Sequence, residues 1–174
     1  MLKLLGIDPE YFHAFSHNPI WRVFHMSKAD PIIGAWKLNL AKSEFPPALL
    51  AFLGGQPVPP KEVKAVYREI DADLMEYTAT ATNADGSSMS GTYTWPRQGG
   101  MAKKISPAPL PEGMSIVETL IEPGNWYASF LTNEAQVLVI HKIISEDGKT
   151  MSEIYKGTDA QGKTFEAQLS YDRQ

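Results

Sequence analysis

The sequence predicts an all-β protein, an antiparallel up-and-down β-barrel of roughly eight to ten short strands preceded by short helices. Three observations carry that prediction. From Ile32 onward, apolar and polar residues alternate in short runs. Turn signals separate several runs: Asn83-Ala84-Asp85-Gly86, Glu146-Asp147-Gly148-Lys149 and Asp159-Ala160-Gln161-Gly162. Such Asp and Gly pairs supply the positive φ that tight hairpins need. A meander of that many strands must then close or split into two layers, because strand twist accumulates.

Taken in order, the 174 residues suffice for one domain with a small appendage. Asp8-Pro9-Glu10 and Asn18-Pro19 each set a capping residue before a proline, which predicts helices over 9–16 and 19–26. They carry Tyr11, Phe12, Phe15, Ile20, Trp21, Val23 and Phe24. So apolar a segment calls for cover, and residues 1–30 are expected to dock on a barrel domain formed by 31–174. A competing reading starts translation at Met26, with Ser27-Lys28-Ala29-Asp30 as a plain leader. Strands are expected at 33–39, 62–71, 73–82, 87–95, 100–105, 114–122, 126–132, 136–145, 150–157 and 163–171. The insert from Phe45 to Pro60 is rich in Pro and Gly around Ala48-Leu49-Leu50-Ala51-Phe52-Leu53. It reads as a loop bearing one or two helical turns.

The period of two assigns side chains to faces. Met75, Tyr77, Ala79 and Ala81 share one face, against Leu74, Glu76, Thr78, Thr80 and Thr82. Met89, Gly91, Tyr93 and Trp95 oppose Ser88, Ser90, Thr92 and Thr94, and Phe165, Ala167, Leu169 and Tyr171 oppose Thr164, Glu166, Gln168 and Ser170. A face of aromatic and small residues suits a barrel interior, which in small barrels holds packed side chains or one small ligand.

The run Gly34-Ala35-Trp36-Lys37-Leu38-Asn39, then Ala41-Lys42-Ser43-Glu44-Phe45, resembles the opening of a group of uncharacterised bacterial lipocalin-like proteins. Ser145-Glu146-Asp147-Gly148-Lys149-Thr150-Met151 and Lys156-Gly157-Thr158-Asp159-Ala160-Gln161-Gly162-Lys163-Thr164-Phe165 resemble that group's C-terminal hairpins. The resemblance spans Gly34 to about Tyr171; between about 46 and 135 it rests on strand rhythm alone. It implies a calycin-type barrel and a hydrophobic-ligand site, with no reaction attached. It also implies that Trp36 closes the barrel base and that Arg173 serves as the basic residue over that ring. The Thr-Asp-Tyr turn of true lipocalins is absent.

Composition narrows the function classes. Net charge is −4 and Lys103-Lys104 is the longest basic run, so there is no basic stripe for nucleic acid. Without cysteine, disulfides, thiolate metal sites and a Cys nucleophile are excluded. No signal peptide is recognisable at the N-terminus, and no apolar stretch approaches the roughly 20 residues of a membrane span. The expectation is a cytoplasmic protein. Gly54-Gly55 and Gly99-Gly100 lack the residues of a phosphate loop, and no hydrolase, zinc-protease or EF-hand motif occurs. No cofactor is implied. His13 and His17 have helical ligand spacing but no third partner, so no metal site is assigned.

His141 shares a face with Val137, Val139 and Ile143, whereas Lys142 lies with Leu138, Ile140 and Ile144. Both faces are apolar, so one of the two polar residues must lie among hydrophobes. A histidine inside the barrel would be the natural acid or base; outside, it is solvated or bonded to a neighbour. Glu118 and Glu122 alternate with Met114, Ile116 and Leu120, and Glu153 and Tyr155 share a face with Met151. These carboxylates either face the lumen, where burial would raise their pKa, or are solvated outside. His141, Tyr155 and Glu118 are the candidate catalytic group. Tyr77, Tyr93, Trp95, Trp126, Tyr127, Phe130 and Phe165 are the candidate ligand-binding residues, with the core as their alternative role.

The sequence therefore favours binding of a small hydrophobic or aromatic molecule in the lumen. The alternative is a cofactor-independent lyase, isomerase or cyclase using an acid/base pair in the same pocket. A protein-interaction role, including a homodimer docked through the N-terminal helices, is the third.

Overall fold

The computed structural model describes residues 29–53, 58–107, 112–159 and 161–174. The two expected N-terminal helices and the alternative start at Met26 lie outside the described residues. Eleven strands are seen: β1 (Gly34–Leu38), β2 (Glu62–Asp71), β3 (Leu74–Thr82), β4 (Ser88–Pro96), β5 (Gly100–Met101), β6 (Lys103–Ser106), β7 (Met114–Glu122), β8 (Asn125–Thr132), β9 (Ala135–Ile144), β10 (Thr150–Thr158) and β11 (Thr164–Arg173). They form one antiparallel sheet in the order β5-β7-β8-β9-β10-β11-β1-β2-β3-β4-β6. A 3-10 turn (Leu40–Lys42) and one short helix, α1 (Pro47–Phe52), lie between β1 and β2.

Ten strands were expected and eleven occur because the run 100–105 breaks at Ala102. Gly100 and Met101 pair with Glu118 and Val117 of β7. Ala102 donates to the Ile116 carbonyl at 2.8 Å, and Thr92 and Thr94 of β4 pair with Ser106 and Lys103 of β6. The sheet thus curls until its two edge strands follow one another in the chain.

The base of the barrel is built around Trp36. Its indole is fully buried and donates to the Ile32 carbonyl at 2.8 Å. The Arg173 guanidinium lies 4.2 Å from the ring centroid. It also donates to the carbonyls of Gly148 (2.5 Å), Ile33 (2.9 Å) and Pro31. Arg173, expected just past the last strand, is its final residue and pairs directly with Trp36. Asp30 ties the entering chain to the β7–β8 turn, accepting from Gly124 N at 3.0 Å and Trp126 Nε1 at 3.0 Å. The glycine of Gly-x-Trp now has a cause. Gly34 has φ +140°, and a Cβ there would meet the Arg173 guanidinium at 2.5 Å.

The faces follow the sequence alternation. Trp36, Ala65, Tyr67, Met75, Trp95, Trp126, Ala128, Leu138, Met151, Ala167, Leu169 and Tyr171 are buried in one core. On the outer face of β3 and β4, Thr78–Thr92, Thr80–Ser90 and Thr82–Ser88 pair hydroxyls at 2.9, 3.1 and 3.3 Å. At the end opposite Trp36, α1 starts after Pro46 and buries Leu49. Its Phe52 ring meets Phe130 edge-on at 5.4 Å.

Gly34→Ala should lower the urea midpoint by the equivalent of ~1–3 kcal/mol, from positive-φ strain and displacement of the guanidinium. In an Arg173→Ala background the same change should cost measurably less, since only the backbone strain remains.

Candidate functional site

Three tiers of side chains fill the lumen. At the base, Trp95 and Trp126 meet edge-on at 6.0 Å above Trp36, Met75 and Met151. Those rings are fully buried core.

The middle tier is polar. Lys142 follows the phase of Leu138 and Ile140, all three of which are buried, so it is the polar residue of β9 that enters the lumen. Its ammonium lies 2.8 Å from Glu118 Oε1, with both side chains almost completely enclosed. Around it stand the rings of Tyr67, Tyr77 and Trp95, with centroids 5.3, 5.6 and 5.9 Å away. The negative ring faces supply a favourable field that water would otherwise provide. Tyr93 of β4 donates to Glu118 Oε1 of β7 at 2.6 Å, across the β5/β6 junction. Glu153, directly opposite Lys142 on β10, accepts from Tyr155 at 2.7 Å and from Tyr67 at 3.3 Å. Two buried atoms, Glu118 Oε2 and Trp95 Nε1, have no partner among the described residues.

Burial pushes the Glu153 carboxyl above its ordinary 4.5, against the opposing pull of Lys142 and the phenols. Burial, reinforced by Glu118 and Glu153, likewise raises the phenols of Tyr67, Tyr77 and Tyr93, and burial with Glu153 raises that of Tyr155. All four keep their protons, and Tyr67, Tyr93 and Tyr155 donate to the carboxyl groups.

The mouth tier is open. A cavity of about 310 Å³ lies between α1 and the polar tier. Its walls include Leu38, Phe45, Leu50, Leu53, Val63, Met89 and Leu169, and its floor is Tyr77, Tyr155 and Tyr171. It exists because the row Ala79↔Gly91 and the neighbouring Ala81 carry no bulk. Among the described residues that line it there is no Lys, Arg or His.

These tiers place the predicted residues unevenly. Tyr77 and Tyr155 line the cavity, and Glu118 lies one layer below with Tyr93. Phe130 supports α1. Phe165 is on the inner face near the mouth, packed over Gly157, where a Cβ would meet its ring at 2.9 Å. His141 and Tyr127 require correction. Both are on the outer face, stacked at 4.2 Å and 5° on paired positions of β9 and β8. His141 Nε2 bonds Asn125 Oδ1 at 2.8 Å, so it meets neither Glu118 nor Tyr155. Partial burial and Lys156 lower its pKa. The residues not assigned from sequence are Lys142, Glu153, Tyr67 and Tyr171. Their signal was alternation: each falls on the apolar parity of its strand. No group of three His, Cys, Asp or Glu suited to a metal occurs among the described residues. Nor is any described helix long and apolar enough to cross a membrane.

Lys142→Met should destabilise by ~3–5 kcal/mol, because Glu118 is left buried without its cation. Adding Glu118→Gln should recover part of that loss in urea titrations. Glu153 gives the opposite pH signature to a salt-bridged carboxylate. Its contribution to folding is full below 4.5, its ordinary value, and is lost as pH rises through its raised folded value. The stability of the native protein relative to Glu153→Gln should therefore fall over that window; a flat difference would contradict the burial argument.

No protein-family model matches the chain, and no curated protein matches it. Solved structures do. A point mutant of the fluorescent protein UnaG superposes with a TM-score of 0.56 at 14% identity, over 83% of this chain and 96% of that one. Wild-type UnaG gives 0.51 at 15%, over 82% and 96%. Zebrafish ileal bile acid-binding protein, complexed with cholic acid, gives 0.50 at 13%, over 83% and 99%. Identities this low speak for architecture only. The chain has the calycin-type, lipocalin-like β-barrel fold, built as an eleven-stranded curled sheet.

Proposed function

We propose that the protein binds a small hydrophobic or aromatic molecule in the mouth of the barrel, beneath α1. The observation that carries this reading is the cavity of about 310 Å³, apolar in its walls and hydroxyl-bearing in its floor. Ligand sites are typically concave and mostly apolar, with a few placed polar groups. The zebrafish protein's complex with cholic acid supports a ligand role for a barrel of this shape.

A second reading, acid/base catalysis without a cofactor, is favoured by one feature. Tyr155 lines the cavity and is bonded to Glu153, a carboxyl whose affinity for a proton is raised by burial. Such a pair could pass a proton to a bound substrate. His141 has no part in it. The readings separate on the fate of the ligand: a carrier returns it unchanged, and an enzyme returns a product of altered mass or connectivity.

The uncharged fluorophore N-phenyl-1-naphthylamine should bind with enhanced emission. Ala79→Phe or Gly91→Leu, which fill the cavity from its small-residue wall, should weaken that binding at least ~10-fold without lowering stability. Unchanged binding in both variants would exclude this cavity as the site.

A further inference from the structure

We infer that the buried end of the occupant is uncharged and accepts a hydrogen bond, so that the site selects against carboxylates. This rests on the cavity being the ligand site. The argument comes from what lies beneath the cavity. A hydrophobic acid seated head-down needs a cation or several free donors at the floor, since a buried carboxylate without them is costly. Among the described residues the lumen holds one ammonium, on Lys142, and it is engaged 2.8 Å from Glu118 and enclosed by Tyr67, Tyr77 and Trp95. No described residue lining the cavity is cationic.

The floor already holds a carboxyl group. Glu153 takes the hydroxyls of Tyr155 and Tyr67, so those donors face away from an incoming anion. Two buried carboxyls to one ammonium leave the tier with a negative bias. That bias is felt at Tyr77, whose ionisation both Glu153 and Glu118 oppose. A ligand carboxylate at the same place would meet the same field. Tyr77 nonetheless lines the cavity and makes no hydrogen bond to another described residue. Its raised, proton-holding phenol is a donor suited to a carbonyl, ether or hydroxyl oxygen.

The test is displacement of N-phenyl-1-naphthylamine at neutral pH by two matched pairs: 2-naphthamide against 2-naphthoate, and decan-1-ol against decanoate. The neutral member of each pair should bind at least ~10-fold more tightly, the scale of one modestly uncompensated charge. Tyr77→Phe should cost the amide several-fold in affinity while leaving the naphthoate almost unchanged. Glu153→Gln should narrow the gap between amide and naphthoate. Carboxylates that displace the probe as well as their neutral partners in the native protein would overturn this inference and leave the pocket standing. A probe that does not bind, or whose binding ignores Ala79→Phe and Gly91→Leu, would overturn the pocket and this inference with it.

Discussion

The structure is organised by the need to give a buried ammonium something to replace water. Lys142 sits at mid-lumen, and stripping its hydration would be prohibitive without compensation. Glu118 on β7 supplies the counter-charge. Tyr67, Tyr77 and Trp95, from β2, β3 and β4, supply ring faces. Tyr93 and Tyr155 occupy carboxylate oxygens that would otherwise lack donors. Strands from opposite sides of the barrel thus converge on one tier. A slip of one residue in any of them would turn its contribution to solvent. The tier therefore specifies register more than it adds stability, since a hydrophobic replacement of such a cluster is often no less stable.

That tier also divides the lumen. Below it, tryptophans and methionines fill the space at the base. Above it, alanines and a glycine leave the space empty. The polar floor between them gives an occupant of the cavity a surface against which to orient. Shape and chemistry are thereby assigned to different tiers, the walls accepting bulk and the floor selecting functional groups.

Much of this was legible from residue order. Strand parity placed Tyr77, Ala79 and Ala81 on the inner face, and the Gly-x-Trp run marked the base. The loop helix was foreshadowed by the apolar run around Leu49. The break at Ala102 was not legible, because it answers to the geometry of two edges meeting. His141 and Lys142 show the deeper limit. Alternation said that one of them lies among hydrophobes but not which, and His141 was a candidate for its chemistry, with a solvated or neighbour-bonded histidine as the alternative. The decision lay with partners far along the chain: Glu118 is 24 residues away, and no local pattern reports such a pairing. Alternation offered Glu153 as either lumenal or solvated, and the choice again lay with a distant partner, since its phenolic donor Tyr67 is 86 residues away.

The pairing of β1 with β11 has a consequence for how the molecule assembles. Trp36 and Arg173 stand side by side in the sheet, yet nearly the whole described chain separates them. The intervening hairpins can form from near neighbours, but β1 has one edge vacant until the final strand arrives. Contacts of such sequence separation carry the largest loop-closure entropy and belong to slow, all-β folding. During synthesis that unpaired edge faces water, or other chains, until the last hairpin leaves the ribosome. Closure of the base around Trp36 therefore waits for β11, although β1 is laid down first in the described barrel.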